Sequence, residues 1–243
     1  MQIAGFVPIG DTRYRHIETG LSFTLVPGGS FTMGMSDVEE QILQERPHDF
    51  ETEFVEQFLR EHQKWARPTV DIALAPFLIA NFPLNVEFVV SRWGFLDHLC
   101  EDFEAAYVPG SSEVIPLLSE LGLRLPSEAE WEYCHRQFLP PCHIPDDSLL
   151  CMEPENTLCG FGSYAEICAD AWHPSLSGIS QSGAARMGVG PRSVRGGAAV
   201  LAPWQGCGEW TLLMPYCRYS ESQGELLSVR PAASIPSEKP VNV

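Results

Sequence analysis

Apolar and polar residues alternate in two stretches of the first third of the chain. In residues 21–34, apolar residues occupy every second position on either side of Pro27-Gly28-Gly29. This pattern predicts two strands joined by a tight turn, a β-hairpin. Residues 69–82 alternate in the same way but are broken at Pro76. They predict a strand interrupted near its middle, because proline cannot donate to a strand ladder.

Residues 37–66 follow a helical pattern instead. Apolar residues recur at steps of three and four along one stripe, and the opposite face is mostly acidic. Asp49 is a suitable N-cap, and Pro68 ends the helix. Such a helix is either solvated on its acidic face or docks a partner. Its apolar stripe comprises Phe50, Phe54, Phe58 and Trp65.

Two more helices are predicted further along. Apolar residues recur at helical spacing from Val89 to Tyr107, which corresponds to about six turns. A helix is also predicted in residues 124–138, where Ser127 and Glu130 form a capping box. After residue 139 the chain is rich in Pro, Gly and Ser and predicts long structured loops. With no internal repeat and no linker, residues 1–243 are expected to form a single domain.

Composition and charge restrict the possible partners. Of the 243 residues, 44% are hydrophobic and 19% are charged, which favours a packed core over disorder. The net charge of −17 repels phosphate backbones and anionic lipid headgroups, so nucleic acid and membranes are poor partners. Basic proteins, peptides or cations fit better, unless the acidity serves only solubility.

A cytoplasmic location is expected from the absence of targeting signals. The first six residues do not resemble a signal peptide, and no apolar run reaches the roughly 18 residues that a membrane span needs. The eight cysteines are then expected to be reduced. None forms the Cys-x2–4-Cys pair of a structural zinc site, so buried, unreactive thiols are the favoured interpretation.

Six segments, in order, resemble the formylglycine-generating-enzyme family, also called the sulfatase-modifying-factor family. They are Leu25–Gly34 with its Pro-Gly-Gly, Arg67–Val70 with Pro76–Asn85, Arg124–Tyr133 beginning Arg-Leu-Pro-Ser-Glu, Gly162–Trp172, Val194–Ala198 with its Arg-Gly-Gly, and Val229–Ala232. The resemblance spans residues 20–234, with 37–66 as an acidic insertion. It implies an α+β fold of the C-type-lectin type, with a small antiparallel sheet, two main helices and long irregular loops.

The resemblance also implies a copper chemistry that this chain matches poorly. The family's enzymes oxidise a substrate cysteine to formylglycine with oxygen, using copper held by two cysteines. Matching Arg218-Tyr219 to the family's Arg-Tyr places Tyr216 and Glu221 at the two cysteine positions. Copper(I) requires two converging thiolates. The remaining catalytic candidates are Cys207 and Cys217, ten residues apart, and a copper cofactor is expected only if a loop brings them together.

The family's calcium sites also differ here. They use an asparagine and backbone carbonyls, and Ser163 occupies the position of that asparagine. Oxygen ligands for calcium could still come from Asn156, Glu166 and Asp170. The favoured alternative for Glu166 and Asp170 is hydrogen bonding to loop backbone. No bound cofactor is therefore expected, with calcium left open.

The favoured function is a non-catalytic or repurposed member of this fold that binds a protein or small ligand through its C-terminal loop surface, 199–221. That segment carries the residue types that anchor binding sites, namely Trp204, Trp210, Tyr216, Arg218 and Tyr219. One alternative is a copper-dependent oxidase acting on a peptide cysteine. Others are a variable ligand-binding protein of a bacterial retroelement, or an adaptor that docks a partner on 37–66, which an exposed apolar stripe would support.

Overall fold

A computed structural model describes residues 2–45, 60, 64–94, 105–138, 158, 161, 164–196, 216–223 and 227–236. The strands are β1 (Phe6–Pro8), β2 (Arg13–His16), β3 (Ser22–Val26), β4 (Gly29–Met33), β5 (Val70–Leu74), β6 (Phe77–Ala80), β7 (Ala165–Ala171), β8 (Arg192–Gly196), β9 (Arg218–Ser220), β10 (Leu227–Ser228) and β11 (Ala232–Ser234). The helices are α1 (Asp37–Glu45), α2 (Val86–Trp93), α3 (Ser111–Glu120), α4 (Glu128–Phe138) and a 3-10 turn (Glu221–Gln223).

The strands form three sheets with mostly antiparallel pairing. Their orders are β1-β2-β3-β6-β11, β10-β7-β8-β9 and β4-β5. Only β10 and β7 run parallel among these pairs. The α+β class expected from the sequence is confirmed. None of the described helices is both long and apolar enough to cross a lipid bilayer.

The predicted hairpin at residues 21–34 is wrong, although both of its strands exist. β3 pairs with β6 and β4 pairs with β5, and the two ladders keep one register, since Val26 faces Phe77 and Gly29 faces Leu74. The four strands are therefore one long antiparallel ribbon with a sharp bend. Gly28, at φ 77°, bends one side of the ribbon, and the predicted break at Pro76 bends the other.

Alanine at Gly28 is expected to destabilise the protein through this bend. Its added Cβ would lie 2.4 Å from the carbonyl oxygen of Leu74. Gly20 is a matched control, because its φ of 72° is similar but a Cβ there has nothing within 4 Å. We expect Gly28→Ala to lower the free energy of unfolding by roughly 1–2 kcal/mol more than Gly20→Ala. Equal losses in urea titrations would show that the ribbon corner tolerates the side chain.

The second predicted helix, 89–107, is present in its first part, and residues 95–104 lie outside the described residues. α2 begins after Asn85, whose side chain accepts the amide of Phe88 at 2.8 Å. It ends at Gly94, which adopts φ 72° and donates its amide to the carbonyls of Val89 and Val90. Tyr107 lies outside the helix, in the stretch that leads to α3. Gly94 was the signal that the sequence prediction missed, because glycine commonly ends helices in this conformation.

The helix predicted in residues 124–138 is confirmed as α4, with its capping box. The hydroxyl of Ser127 accepts the amide of Glu130 at 3.1 Å, and the Glu130 carboxylate accepts the amide of Ser127 at 2.8 Å. α4 packs against β4, β5, β7 and β8. Trp131 is fully buried there, within one of two hydrophobic clusters. The other cluster includes residues of the five-stranded sheet, α2 and α3.

The acidic insertion is described at its two ends. α1 forms its start, where the Ser36 hydroxyl accepts the amide of Glu39 at 3.2 Å and the Glu39 carboxylate accepts the amide of Ser36 at 2.8 Å. Trp65 forms part of its end and is half-buried. The predicted N-cap and the rest of the predicted apolar stripe, Asp49, Phe50, Phe54 and Phe58, lie outside the described residues.

Candidate functional site

The C-terminal site candidates fall into two groups. Outside the described residues lie Trp204, Cys207 and Trp210, together with the calcium candidate Asn156. The remaining candidates are consecutive in the chain and run into β9, which pairs with β8. They are Tyr216, Cys217, Arg218 and Tyr219.

Arg218 is fully buried and its donors are occupied. Its Nε and Nη2 donate to the two carboxylate oxygens of Glu128 at 2.8 and 2.9 Å, and Nη1 donates to the carbonyl of Trp65. The guanidinium carbon lies 4.8 Å from the ring centre of Trp172. A ligand arriving at this point would meet the half-exposed rings of Trp65 and Trp172 before it met Arg218. Direct ligand contact by Arg218 stays a prediction.

Arg218 belongs to a row of alternating charges along α4. Glu128, Glu132 and Arg136 are four residues apart and share one helix face. Arg195 donates to Glu132 at 2.6 Å and to Glu128 at 3.4 Å, and Arg136 donates to Glu132 at 2.8 Å. Burial alone would raise the pKa of Glu128, but Arg218 and Arg195 lower it to about 2. Glu128 therefore stays ionised, and the row ties α4 to β8 and β9.

Two aromatic residues that sequence reasoning did not assign to the site flank this row. Trp65 ends the acidic insertion and Trp172 follows β7, and their rings meet edge to face at 5.6 Å between centres. Lys64 lies over the Trp65 ring at 5.1 Å. Both rings keep some exposed surface. No local pattern could reveal the pair, because the two residues are 107 positions apart in the chain.

At the two positions matched to the family's copper cysteines, the side chains of Tyr216 and Glu221 both contact other residues of the domain. Tyr216 is 4% exposed, and the guanidinium of Arg136 lies over its ring at 5.4 Å. The Glu221 carboxylate accepts the amide and hydroxyl of Ser111, at 2.5 and 2.7 Å, and the amide of Arg192, at 2.9 Å. It thereby ties the first turn of α3 to the start of β8.

Cys217 lies between these positions as an inert thiol. Its side chain is fully buried, and Sγ donates to the carbonyl of Gly196 at 3.2 Å. Burial raises the pKa of this thiol to about 12, which opposes formation of the thiolate that copper(I) needs. This environment does not fit a copper ligand. Tyr219 is half-buried against the larger core cluster.

The calcium candidates Glu166 and Asp170 are surrounded by donors. Both oxygens of Glu166 accept from Arg230, at 2.8 and 2.9 Å, and one also accepts the indole of Trp131 at 3.1 Å. Asp170 accepts the backbone amides of Glu128 and Arg186, both at 2.7 Å. Each carboxylate oxygen therefore already accepts at least one N–H donor, which agrees with the hydrogen-bonding alternative, and a calcium role for Glu166 and Asp170 stays a prediction. Among the described residues, no three His, Cys, Asp or Glu side chains group closely enough to hold a metal.

Buried titratable groups beside α4 complete the electrostatics of this region. Burial and the neighbouring Glu128 carboxylate raise the pKa of Asp170 to about 7. Burial and the nearby arginines Arg136 and Arg195 lower the pKa of His135 to about 3. His135 stacks on Trp131, with ring centres 5.4 Å apart. At neutral pH this histidine is therefore an uncharged core residue.

Comparison with known proteins supports the fold. PvdO from Pseudomonas aeruginosa superposes with a TM-score of 0.62 over 93% of this chain and 99% of PvdO, at 17% sequence identity. PvdO has a formylglycine-generating-enzyme-like fold, which agrees with the fold that the sequence motifs imply. No protein-family model and no curated protein matches the chain. At this identity the likeness concerns the fold alone.

Proposed function

We propose that this chain is a non-catalytic or repurposed domain of the formylglycine-generating-enzyme-like fold that binds a protein or peptide ligand. One observation carries the proposal. The positions matched to the catalytic cysteines hold Tyr216, covered by Arg136, and Glu221, which caps α3. Both side chains serve the packing of the domain, and the neighbouring thiol of Cys217 is buried and protonated.

The ligand surface of this proposal combines the 199–221 segment with the aromatic pair beside it. Trp65 and Trp172 present partly exposed rings next to β9. Large aromatic side chains contribute strongly to binding when a ligand excludes water from them. The buried Arg218–Glu128 pair fixes the backbone of Trp65 and lies against the ring of Trp172. The rings are thus held in place before a ligand arrives, which lowers the entropic cost of binding.

The proposal is tested by titrating the reduced protein with copper(I) in competition with a chelator. We expect no tight one-to-one copper binding, and the same titration curve for the Cys217→Ala variant. The family's copper site needs two converging thiolates, and the buried Cys217 thiol instead donates a hydrogen bond to the carbonyl of Gly196. Tight stoichiometric binding that disappears in Cys217→Ala would favour the oxidase alternative, with Cys207 as the second ligand.

The binding half of the proposal needs its own experiment. Peptides selected from a displayed library on the native protein are expected to lose binding to the Trp172→Ala variant by about tenfold or more, as for an aromatic anchor. Val189→Ala is a control, because this exposed loop residue follows β7 outside the aromatic pair. If the selected peptides bind both variants as tightly as they bind the native protein, the ligand surface does not include Trp172.

A further inference from the structure

The ends of the acidic insertion are fastened together where it leaves the domain. The amide of Met35 donates to the carbonyl of Ala66 at 2.9 Å. Arg67 then donates to Asp37 at 2.6 Å and to Glu40 at 2.8 Å. The insertion therefore starts and finishes at one point, and α1 is its first element.

One side of α1 is fixed to the domain body. Arg136 on α4 donates to Glu39 at 2.6 Å and to the carbonyl of Gly34 at 2.8 Å. Arg136 thus pairs with Glu39, and Arg67 pairs with Glu40, so both inward-facing carboxylates of the first helical turn are bound by arginines. These anchors at the first turn hold the helix in a defined orientation, so its other side is presented to solvent as a fixed surface.

That other side carries two exposed apolar residues beside the exposed polar residues Gln41 and Glu45. Val38 and Ile42 are one turn apart, with 66% and 53% of their surface exposed. Six large hydrophobic side chains are exposed among the described residues, and these two share a helix face. The six are Val7, Ile17, Val38, Ile42, Met187 and Val189. These two residues form a short apolar stripe at the spacing by which helices dock on one another.

The charge around this stripe selects the partner. α1 itself contains four acidic residues and no basic residue. Glu45 is exposed at the end of α1, and the side chain of Asp37 is 92% exposed despite its contact with Arg67. Elsewhere in the chain, Arg195, Arg218 and Arg230 are buried against carboxylates and do not offset this negative surface. A second acidic copy of the chain would be repelled here, and a basic segment attracted.

We propose that the outward face of α1 docks a basic amphipathic helix of another protein. Aliphatic side chains of that helix cover Val38 and Ile42, and its Lys or Arg residues pair with the acidic residues at the rim. The outward face of α1 shares no residue with the aromatic pair or the 199–221 segment of the proposed function. Its test does not involve copper, Cys217 or Trp172, so either proposal can fail without the other.

The test measures binding of a labelled Lys/Leu amphipathic peptide of about 14 residues by fluorescence anisotropy. We expect the Val38→Ser/Ile42→Ser variant to bind it about fivefold or more weakly than the native protein. The control, Val7→Ser/Ile17→Ser, also removes an exposed aliphatic pair without changing charge, and it should change the affinity less than twofold, within the usual range for sites outside an interface. A Glu/Leu peptide of the same pattern should not bind.

Four outcomes would overturn the proposal. Equal affinity in the two double variants would mean that only charge attracts the peptide. Binding of the Glu/Leu peptide would remove the basic requirement. A melting temperature several degrees lower for Val38→Ser/Ile42→Ser than for the control would mean that another part of this chain covers the stripe. A concentration-dependent dimer of the native protein, lost in that variant, would make a second copy the occupant.

Discussion

Replacing Arg230 with Met is expected to lower the free energy of unfolding by about 3–5 kcal/mol, the loss found when one partner of a buried ion pair is removed. Arg230 and Glu166 are both fully buried. The arginine also donates to the carbonyls of Ala80 and Asn81, at 3.2 and 2.9 Å. Without it, a carboxylate and two carbonyls would be left in the core with too few donors.

Chemical denaturation monitored by circular dichroism measures this loss. Arg92→Met is a suitable control, because Arg92 and Glu18 form an ion pair with about half of each side chain exposed. Exposed pairs contribute about 0–1 kcal/mol, so the control should remain close to the native protein. A loss below about 1 kcal/mol for Arg230→Met would contradict the assignment of Glu166 and Arg230 to the structural core.

Replacing Arg218 with Met should have an effect of similar size, again about 3–5 kcal/mol. The change removes two donors from Glu128 and one from the carbonyl of Trp65, and it takes the cation from beneath the ring of Trp172. Tryptophan fluorescence should therefore shift together with stability. Arg218→Lys should recover little of the loss, because one ammonium group cannot reproduce the bidentate fork.

The sequence predicts that Arg218 contacts a ligand, whereas the structure buries it in the core. The Arg218→Met variant distinguishes a ligand-binding role from a structural one. A residue that acts only on a ligand can be replaced with little effect on folding, whereas a core residue cannot. Arg124→Met is a useful comparison, since Arg124 also forms a bidentate pair, with Glu130, but keeps 34% of its side chain exposed. If Arg218→Met were no more destabilising than Arg124→Met, the charged row along α4 would not support β9 as described.

Local chemistry in the sequence predicted part of this fold. The capping box of Ser127 and Glu130 fixed the start of α4, and the break at Pro76 marked the bend of the ribbon, since both depend on neighbouring residues. The Pro27-Gly28-Gly29 turn was misread because glycines at a corner and at a hairpin look alike in sequence. Which strand each half pairs with depends on β5 and β6, whose residues lie 37 or more positions further along the chain than their partners.

The site was harder to predict because it depends on long-range contacts. Trp, Tyr and Arg in the C-terminal segment have the composition of a binding surface, and the same residue types also build a core. Whether Arg218 is exposed is decided by Glu128, 90 residues earlier in the chain. Trp65 and Trp172 lie together only because the end of the insertion packs against the end of β7.

The central claim is that Tyr216, Cys217 and Arg218, at the start of β9, belong to the core of the domain. Brief exposure of the native, reduced protein to N-ethylmaleimide, followed by peptide mapping, tests it directly at Cys217. Burial raises the pKa of Cys134, Cys168 and Cys217 alike, so all three should stay unmodified until the protein unfolds. Rapid modification of Cys217 at neutral pH, while Cys134 and Cys168 remain protected, would contradict the account and return this cysteine to the reactive surface of the domain.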